Sequence, residues 1–482
     1  VIYLSTMAPN QFLLACLIVV LLVRSSSSSK CNPAQRDALL KIQSPIKGFF
    51  WNVSEDCCTW NKVACDKSGN VIELNLDGYT EDNTLLPSSS IFELRFLQDL
   101  TLGNDDHGPP VINSSIPIQI GKLTELRKLT MYGYRGPIPS SIGSLTKLQE
   151  LSLMNGGLVG NIPVTVGNLV QLNSLSLTIN KLSGGIPESF RSLRNLVNLV
   201  IDNNKLTGNL PSFIFDFPNL ENLSASKNRL QGSLPRSVRP DSKLQFLFLN
   251  DNKFTGTVPA WMFTRRLETA WIQNNGFSGP IEPFRMPRVS FLTNVDLSNN
   301  LIQGLPTSLF SLKNVTDLSL VGNKLSGVLD FDLLAGMERL SSLSLSGNQG
   351  LTLKSSKGGV SYPPLLSVIL MDHCGLTEFP NFLRSVDSLL RLVVNNNKMK
   401  GGIDFSRGWK NLWDLDASFN SLSGPLMASS STLSRLNLSH NLFTGKIPTS
   451  YCRQMELDVS FNKITSCAQF KAQCKNGLTL MC

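Results

Sequence analysis

The segments Leu172–Pro187 (LNSLSLTINKLSGGIP) and Leu196–Pro211 (LVNLVIDNNKLTGNLP) share one pattern of apolar, asparagine, glycine and proline positions. Leu220–Pro235 (LENLSASKNRLQGSLP) and Leu244–Pro259 (LQFLFLNDNKFTGTVP) continue it. The second apolar residue of each LxL pair, which we call the anchor, recurs every 24 residues in this region. A fixed period of roughly 20–50 residues is typical of repeat architectures such as solenoids.

The same pattern extends toward both ends of the chain, with anchors 21 to 29 residues apart. The seventeen anchors are Leu76, Leu102, Met131, Leu153, Leu177, Ile201, Ala225, Leu249, Ile272, Leu297, Leu320, Leu345, Met371, Val394, Ala417, Leu438 and Val459. One turn cannot bury its apolar edge alone, so successive turns stack around a continuous core. A length of 482 residues would otherwise suggest about three domains, but the repeat predicts one solenoid.

The residue types within a turn indicate its local structure. Alternation at LxL predicts a short strand with one side inward and the other toward solvent. The glycine permits a tight bend, and the proline cannot continue a central strand. An asparagine three residues after the anchor can bond backbone groups where the chain leaves the strand. Twelve turns have it: Asn180, Asn204, Asn228, Asn252, Asn275, Asn300, Asn323, Asn348, Asn397, Asn420, Asn441 and Asn462.

Composition limits the function classes. The chain has 44 Lys and Arg against 35 Asp and Glu, a formal net charge of +9, and 41% hydrophobic residues. The apolar content excludes a wholly disordered chain. The positive charge favours anionic partners such as acidic polysaccharide, but the basic residues are scattered, so we predict no nucleic-acid partner.

The N-terminal region predicts secretion. Phe12–Val23 (FLLACLIVVLLV) is an unbroken apolar run, followed by Arg24 and five serines. As a helix it would rise only about 18 Å, too short for a hydrocarbon core of about 30 Å. A signal peptide over residues 1–29, with Met7 as the true start, fits better. No other stretch is long and apolar enough to predict a membrane span.

The repeat resembles the plant-type leucine-rich repeat, LxxLxLxxNxLxGxIP, over roughly Val71 to Lys463. Cys31-Asn-Pro, Arg36-Asp-Ala-Leu-Leu, Trp51, Cys57-Cys58-x-Trp60 and Cys65 resemble the N-terminal cap of plant receptor-like proteins, receptor kinases and polygalacturonase inhibitors. The stretch Leu366–Leu383 (LSVILMDHCGLTEFPNFL) is similar to a turn of large plant receptor-like proteins. The resemblance implies an α/β solenoid, a curved superhelix of about 17 turns with a parallel sheet on its concave face.

Two cysteine clusters predict disulfide-linked ends. The resemblance implies the pairs Cys31–Cys57 and Cys58–Cys65. The pairing of Cys452, Cys467, Cys474 and Cys482 stays open, and zinc is a weaker alternative there because these residues include no CxxC pair. Cys374 takes the asparagine position of its turn, so we expect it to be buried and unpaired.

We expect four segments along the chain. They are a signal peptide at 1–29, an N-terminal cysteine cap at 30–70, the solenoid at 71–464 and a C-terminal cysteine cap at 465–482.

The sequence predicts no catalytic residue, cofactor or metal site. No nucleotide-binding, serine-hydrolase, zinc-protease or kinase motif is present. Asp105-Asp106-His107 is the only cluster of acids with a histidine, and it lies in a Gly- and Pro-containing loop. The pairs Asp414/Asp416 and Glu456/Asp458 would share a strand face, where an acidic contact surface is a simpler interpretation than acid–base catalysis.

The residues that flank each anchor predict the recognition surface. Phe246, Phe248 and Trp271 are unusual among flanking positions that are mostly Ser, Thr, Asn and Asp. They indicate either a partner-binding patch with a polar rim or a stack that only stiffens the sheet. The predicted partner-binding residues are Phe246, Phe248, Asn250, Trp271, Gln273, Asn294, Asp296 and Asp317.

Five sequons predict N-glycosylation, at Asn52, Asn113, Asn222, Asn314 and Asn437. Asn222 belongs to the turn before Phe246, so a glycan there would border the aromatic patch. We therefore expect a partner to approach from the later turns, near Asn294, Asp296 and Asp317.

The combined interpretation is a secreted, non-catalytic recognition protein of the plant cell wall space, binding a protein or peptide on its concave face in defence or development. One alternative is an inhibitor of a microbial polygalacturonase that associates with pectin. Seventeen turns exceed the roughly ten usual for those inhibitors, while the missing membrane span departs from the receptors. Candidate partners are a microbial cell-wall hydrolase and a co-receptor kinase. A structural cell-wall or ice-binding role is another alternative, although ice binding needs flat Thr/Asn ladders that the irregular strand residues do not show.

Overall fold

The computed structural model describes residues 30–43, 51–77, 89–103, 114–285, 290–355, 361–404, 409–428, 432–474 and 478–482. The predicted signal segment with Met7, the loop Asp105-Asp106-His107 and the sequon Asn113 lie outside these residues. The chain divides into two compact units, residues 1–159 with 165–172 and residues 160–164 with 173–482.

The first unit begins with helix α1 (Pro33–Gln43), whose Ala38, Leu39 and Ile42 are buried. Its strands are β1 (Val63–Cys65), β2 (Val71–Asp77), β3 (Asp99–Gly103), β4 (Lys128–Tyr132), β5 (Arg135–Pro137), β6 (Glu150–Met154) and the start of β7 (Gly157–Asn161). Strand β1 pairs antiparallel with β2, whereas β2, β3, β4 and β6 pair parallel in that order. Short 3₁₀ helices occupy Cys57–Thr59, Ser89–Glu93, Ile118–Lys122, Ser140–Ser144 and Val164–Asn168, the last of which begins in the second unit.

The second unit contains two rows of short strands. The row that carries the anchors is β8 (Ser174–Ser176), β10 (Asn198–Val200), β12 (Asn222–Ser224), β14 (Phe246–Phe248), β16 (Thr269–Trp271), β18 (Asn294–Asp296), β20 (Asp317–Ser319), β22 (Ser342–Ser344), β24 (Val368–Leu370), β25 (Arg391–Val393), β27 (Asp414–Asp416), β29 (Arg435–Asn437), β31 (Glu456–Asp458) and β33 (Thr479–Met481). The other row is β9 (Lys181–Gly184), β11 (Lys205–Asn209), β13 (Arg229–Gly232), β15 (Lys253–Gly256), β17 (Gly276–Pro280), β19 (Leu301–Gly304), β21 (Ser326–Asp330), β23 (Gly350–Lys354), β26 (Lys400–Gly401), β28 (Ser421–Pro425), β30 (Leu442–Gly445) and β32 (Lys463–Ile464).

Within the described residues of the second unit, helices are few and short. They are α2 (Trp261–Thr264) and α3 (Cys467–Gln473), with 3₁₀ helices at Glu188–Ser192, Ser212–Asp216, Thr307–Ser311, Phe331–Gly336, Asn381–Ser385 and Thr449–Arg453.

The anchor-bearing strands confirm the predicted solenoid with a parallel sheet. Each strand pairs with the next residue for residue, as in Leu199 with Leu223 and Leu223 with Leu247. These inward residues are fully buried, and every predicted anchor lies within or directly after such a strand. Strand β33 adds one parallel strand beyond the seventeen predicted, pairing with β31.

The predicted asparagines form a ladder of hydrogen bonds along the turns. All twelve donate from Nδ2 to backbone carbonyls of their own turn, and from Asn204 onward also to the anchor carbonyl of the preceding turn. Asn228, for example, donates to the carbonyl of Ile201 at 3.0 Å while its Oδ1 accepts from the N–H of Leu206 at 3.0 Å. The ladder thus supplies hydrogen-bond partners to backbone groups that lose their strand partners where the chain leaves each strand.

The residue before the ladder asparagine adopts a left-handed backbone conformation in most turns. Its φ is 56° at Ile179, 52° at Lys227 and 50° at Phe419. A β-branched residue such as isoleucine rarely adopts this conformation. Eight of the twelve residues at this position are Asn, Asp, His or Gly, the types that adopt the conformation most readily, so the sequence carried a signal for it that the repeat pattern alone did not use.

Two disulfides lie near each end of the chain. The structure joins Cys31 to Cys57 and Cys58 to Cys65, the pairing that the resemblance implies, and joins Cys452 to Cys474 and Cys467 to Cys482. Cys374 is buried and in no disulfide, and its Sγ lies 3.2 Å from the carbonyl oxygen of Leu345, to which it donates. Within the described residues, no helix has the length and apolar character needed to cross a membrane.

Candidate ligand-binding face

The aromatic side chains predicted to form a patch do contact one another. Phe246 and Phe248 lie on β14, and Trp271 on β16 pairs in register with Phe248. The Phe246 and Phe248 ring centroids are 6.4 Å apart, and those of Phe248 and Trp271 are 5.1 Å apart with the rings edge to face. Trp271 is 43% exposed, although Leu247 and Ala270, the inward residues of these two strands, are fully buried. We call these three residues the aromatic patch.

A cavity of about 470 Å³ opens on the side of the aromatic patch nearer the later turns. Its polar wall includes Gln273, Asn294, Asp296 and Asp317, and Trp271 forms its aromatic wall. The serines Ser319, Ser342 and Ser344 complete it. We call it the acidic cavity, because its only charged side chains are the two aspartates.

A second cavity of about 450 Å³ lies on the other side of Phe248 and Trp271. Asp202 accepts hydrogen bonds there from the hydroxyl of Ser224 at 2.6 Å and from the N–H of Ser226 at 2.5 Å. The Ser226 hydroxyl donates to Oδ1 of Asn250 at 2.6 Å. Burial raises the pKa of Asp202, although these hydrogen bonds act against the rise. This network holds Asp202, Ser224, Ser226 and Asn250 against one another, whereas the exposed Lys227 also lines the cavity.

The structure brings the predicted partner-binding residues together on strands β14 to β20. Trp271, Gln273, Asn294, Asp296 and Asp317 line the acidic cavity, and Trp271 also lines the second cavity with Phe248 and Asn250. Six further residues that line the two cavities were not predicted from the sequence: Asp202, Ser224, Ser226, Ser319, Ser342 and Ser344. Their positions beside the anchors of neighbouring turns would have identified them, but single Asp and Ser residues are common at such positions.

The sequon Asn222 lies on β12 directly opposite Phe246. Its Oδ1 is buried without a hydrogen-bond partner. Asn52 accepts from Ser54 and donates to Glu55, Asn314 donates to the carbonyl of Ser290, and Asn437 accepts from Ser439. Glycosylation of these residues stays a prediction.

In each of the two carboxylate pairs near the C-terminus, one member lies beside an arginine. Nε of Arg391 lies 3.3 Å from Asp414, and Nε of Arg435 lies 3.6 Å from Glu456. Burial raises the pKa of Asp414, while the charges of the two arginines lower it. Strands β25, β27, β29 and β31 therefore alternate in charge at this row of positions, which corrects the sequence interpretation for Asp414 and Glu456; Asp416 and Asp458 instead accept from the N–H groups of Ser418 and Ser460.

Candidate metal ligands converge, among the described residues, at Cys31, Asp56, Cys57 and Cys58. The three cysteines are already in disulfides. Asp56 accepts from the backbone N–H groups of Cys58 and Cys31, which hold its pKa below the usual range. This group is therefore the hydrogen-bonded centre of the N-terminal cap.

Comparisons with known proteins agree with the repeat. Residues 55–272 match the family model described as a leucine-rich repeat region, and residues 290–349 and 432–453 match two further leucine-rich repeat models. Receptor like protein 22 of Arabidopsis thaliana is 31% identical over 193 residues, which cover 34% of this chain and 25% of that protein. The matched segments span between 11% and 25% of the lengths of the curated relatives.

Solved structures show the same architecture. The leucine-rich repeat ectodomain of the plant membrane receptor kinase GASSHO1/SCHENGEN3 from Arabidopsis thaliana, in complex with CASPARIAN STRIP INTEGRITY FACTOR 2, matches with a TM-score of 0.69 and 25% identity. That match covers 92% of this chain and 53% of the ectodomain. A plant ice-binding protein matches with a TM-score of 0.50 and 26% identity, covering 69% of this chain and 100% of its own. With leucine-rich repeat models together covering more than half of its residues, this chain belongs to the leucine-rich repeat family, and parts of it are similar to plant receptor-like proteins.

Proposed function

We propose that this chain is a secreted, extracellular recognition protein of the plant cell wall space that binds a protein or peptide ligand around the aromatic patch. The observation that carries the proposal is a contiguous set of three aromatic rings on the solvent side of β14 and β16, bordered by two polar cavities. Large aromatic side chains surrounded by polar groups are typical of the residues that contribute most to protein interfaces.

The packing beneath the patch supports recognition over a purely structural role. Leu247, Leu249 and Ile272 are fully buried, so the core of these turns is complete without the three rings. The edge-to-face contact between Phe248 and Trp271 orders the two rings in the absence of a ligand. Ordered aromatic groups lose little conformational freedom on binding, which favours affinity.

The disulfides at both ends support secretion, since such bonds form and persist in oxidising compartments. The pairing of Asp414 and Glu456 with arginines supports a non-catalytic role. We infer a function in defence or development, with a co-receptor kinase as a second candidate partner.

The relatives and structures named above give no support to pectin or a microbial hydrolase as a partner. Similarity to the ice-binding protein concerns the fold. Ice recognition would need a regular array, whereas neighbouring positions on β14, β16 and β18 are Phe248, Trp271 and Asp296.

Substitution of Trp271 by alanine tests the proposal. We expect Trp271→Ala to weaken retention of the cognate partner from a plant apoplastic extract by at least about tenfold, as loss of an interface aromatic often costs about 2 kcal/mol. Trp413→Ala is a matched control, because Trp413 is also 43% exposed but lies beside β27. The readout is quantitative mass spectrometry of proteins and peptides retained by each immobilised variant.

Loss of the same partners from both tryptophan variants would contradict the proposed location. The same conclusion would follow if Trp271→Ala melted several degrees lower yet retained every partner, because the rings would then be structural.

A further inference from the structure

We propose that the acidic cavity receives a positively charged side chain of the ligand, the guanidinium group of an arginine. This inference rests on the proposed function, because it assigns the ligand chemistry of the same face.

The walls of the acidic cavity combine an exposed indole ring with carboxylates. Trp271 on β16 lies in register with Asp296 on β18, and Asp317 lies on the next strand, opposite Asn294. Neighbouring strands are about 4.8 Å apart, so one group in the cavity can meet the ring and both carboxylates. Tryptophan offers the strongest ring face for a cation.

Local hydrogen bonds restrain the two carboxylates. Oδ1 of Asp296 accepts from the backbone N–H of Ser298 at 2.9 Å, and Oδ2 of Asp317 accepts from the hydroxyl of Thr316 at 2.7 Å. The ligand therefore meets acceptors whose positions are already restricted, which lowers the entropy that binding must remove.

One wall group also lacks a partner. Oε1 of Gln273 is buried and accepts no hydrogen bond. A buried acceptor without a donor is unfavourable, so a ligand whose N–H group reaches this oxygen would gain affinity. The guanidinium group offers five N–H donors and no acceptor.

The charge around the cavity has the same sign throughout. The positions that flank the anchors between 246 and 346 include Asp296 and Asp317 but no lysine or arginine. An anionic ligand group would face two carboxylates without a counter-charge. The face is thus opposite in sign to the whole chain, whose net charge is +9.

Arginine fits these walls better than lysine. Its planar guanidinium stacks on an aromatic face and pairs with a carboxylate through two parallel hydrogen bonds, whereas an ammonium is a compact, strongly hydrated charge. A volume of about 470 Å³ admits such a long side chain.

Binding of N-acetyl-arginine amide to the intact protein tests the inference, with N-acetyl-citrulline amide as its neutral isostere. Ligand-observed NMR measures both affinities. We expect saturable binding of the arginine compound, roughly fivefold or more tighter than that of citrulline, as loss of the charge interaction with the carboxylates would give. The preference should diminish as salt screens the charges.

The double variant Asp296→Asn/Asp317→Asn should lose the preference for arginine, and Asp458→Asn should keep it. Asp458 is a matched control, because its Oδ1 also accepts from the N–H two residues later, at 2.9 Å from Ser460, but it lies on β31. Equal binding of the two compounds, or a preference that survives in the double variant, would overturn the assignment. If the double variant does not fold, the comparison of arginine with citrulline on the unmodified protein decides.

The outcome also separates this inference from the proposed function. If Trp271→Ala loses the cognate partner while arginine binds no better than citrulline, the docking surface stands and the guanidinium assignment is wrong.

Discussion

Replacement of Asn348 by alanine probes the hydrogen-bond ladder where it is most buried. Asn348 is fully inaccessible to solvent. Its Nδ2 donates to the carbonyls of Leu320, Leu345 and Ser346 at 3.0, 2.6 and 3.4 Å, and its Oδ1 accepts from the N–H of Leu325 at 3.1 Å. Alanine removes all four bonds and offers no replacement.

The expected cost follows from the groups left without a partner. The N–H of Leu325 and at least one of the carbonyls would be buried and unpaired, since Leu320, Leu325 and Leu345 are themselves buried. Each such group costs about 1–3 kcal/mol. We therefore expect Asn348→Ala to lower the free energy of unfolding by about 2–6 kcal/mol.

Asn219→Ala is the matched control, because its Oδ1 accepts one exposed hydrogen bond from Lys243 at 2.9 Å. A surface change of this kind costs within about 0.5 kcal/mol. Urea unfolding followed by tryptophan fluorescence measures both variants. Hydrogen exchange should show faster opening over 318–352 in Asn348→Ala, since each repeat contacts mainly its neighbours.

Equal unfolding midpoints for Asn348→Ala and Asn219→Ala, with unchanged exchange over 318–352, would refute the reasoning. The hydrogen bonds of the ladder would then form in the folded chain without adding measurably to its stability.

Three further predictions concern single groups. Burial raises the pKa of the Cys374 thiol to about 11, so alkylation of the native protein by iodoacetamide at pH 8 should be slow and become fast on unfolding, as intact-mass analysis would show. The pKa of Asp56 is below its usual 3.8; its ionised form therefore stabilises the N-terminal cap above that value, and the contribution is lost as the pH falls through the lower folded pKa. Asp56→Asn should lose stability at neutral pH and flatten this acid dependence in thermal melts. The His440 ring stacks between two phenyl rings at 3.9 and 4.1 Å, and His440→Ala should cost about 1–3 kcal/mol in urea unfolding, a result contradicted by an unchanged midpoint.

The sequence predicted the fold well because the constraints on the backbone recur in every turn. Anchors, asparagines and bends repeat, so the prediction of a solenoid does not depend on the interpretation of any single turn. The second row of strands was not predicted, since its residues pair through backbone groups that leave no strong side-chain period, as in β9 and β11. The series of ladder asparagines is interrupted at Cys374. The N–H of Leu351 donates to the backbone carbonyl of Asn348, so this turn does not require a side-chain acceptor at position 374.

The candidate site was only partly predictable, for a related physical reason. Once anchors and the ladder hold the backbone, the flanking residues are free of structural constraint, and each turn can present different chemistry. Net charge therefore misleads when it is used to infer the ligand: the chain carries +9, which favours anionic partners, yet the aromatic patch borders a cavity whose charged groups are Asp296 and Asp317. Charges farther away than about 8 Å are largely screened at physiological ionic strength. A ligand in the acidic cavity therefore responds mainly to those two carboxylates, and the sign of the whole chain governs only the approach from a distance.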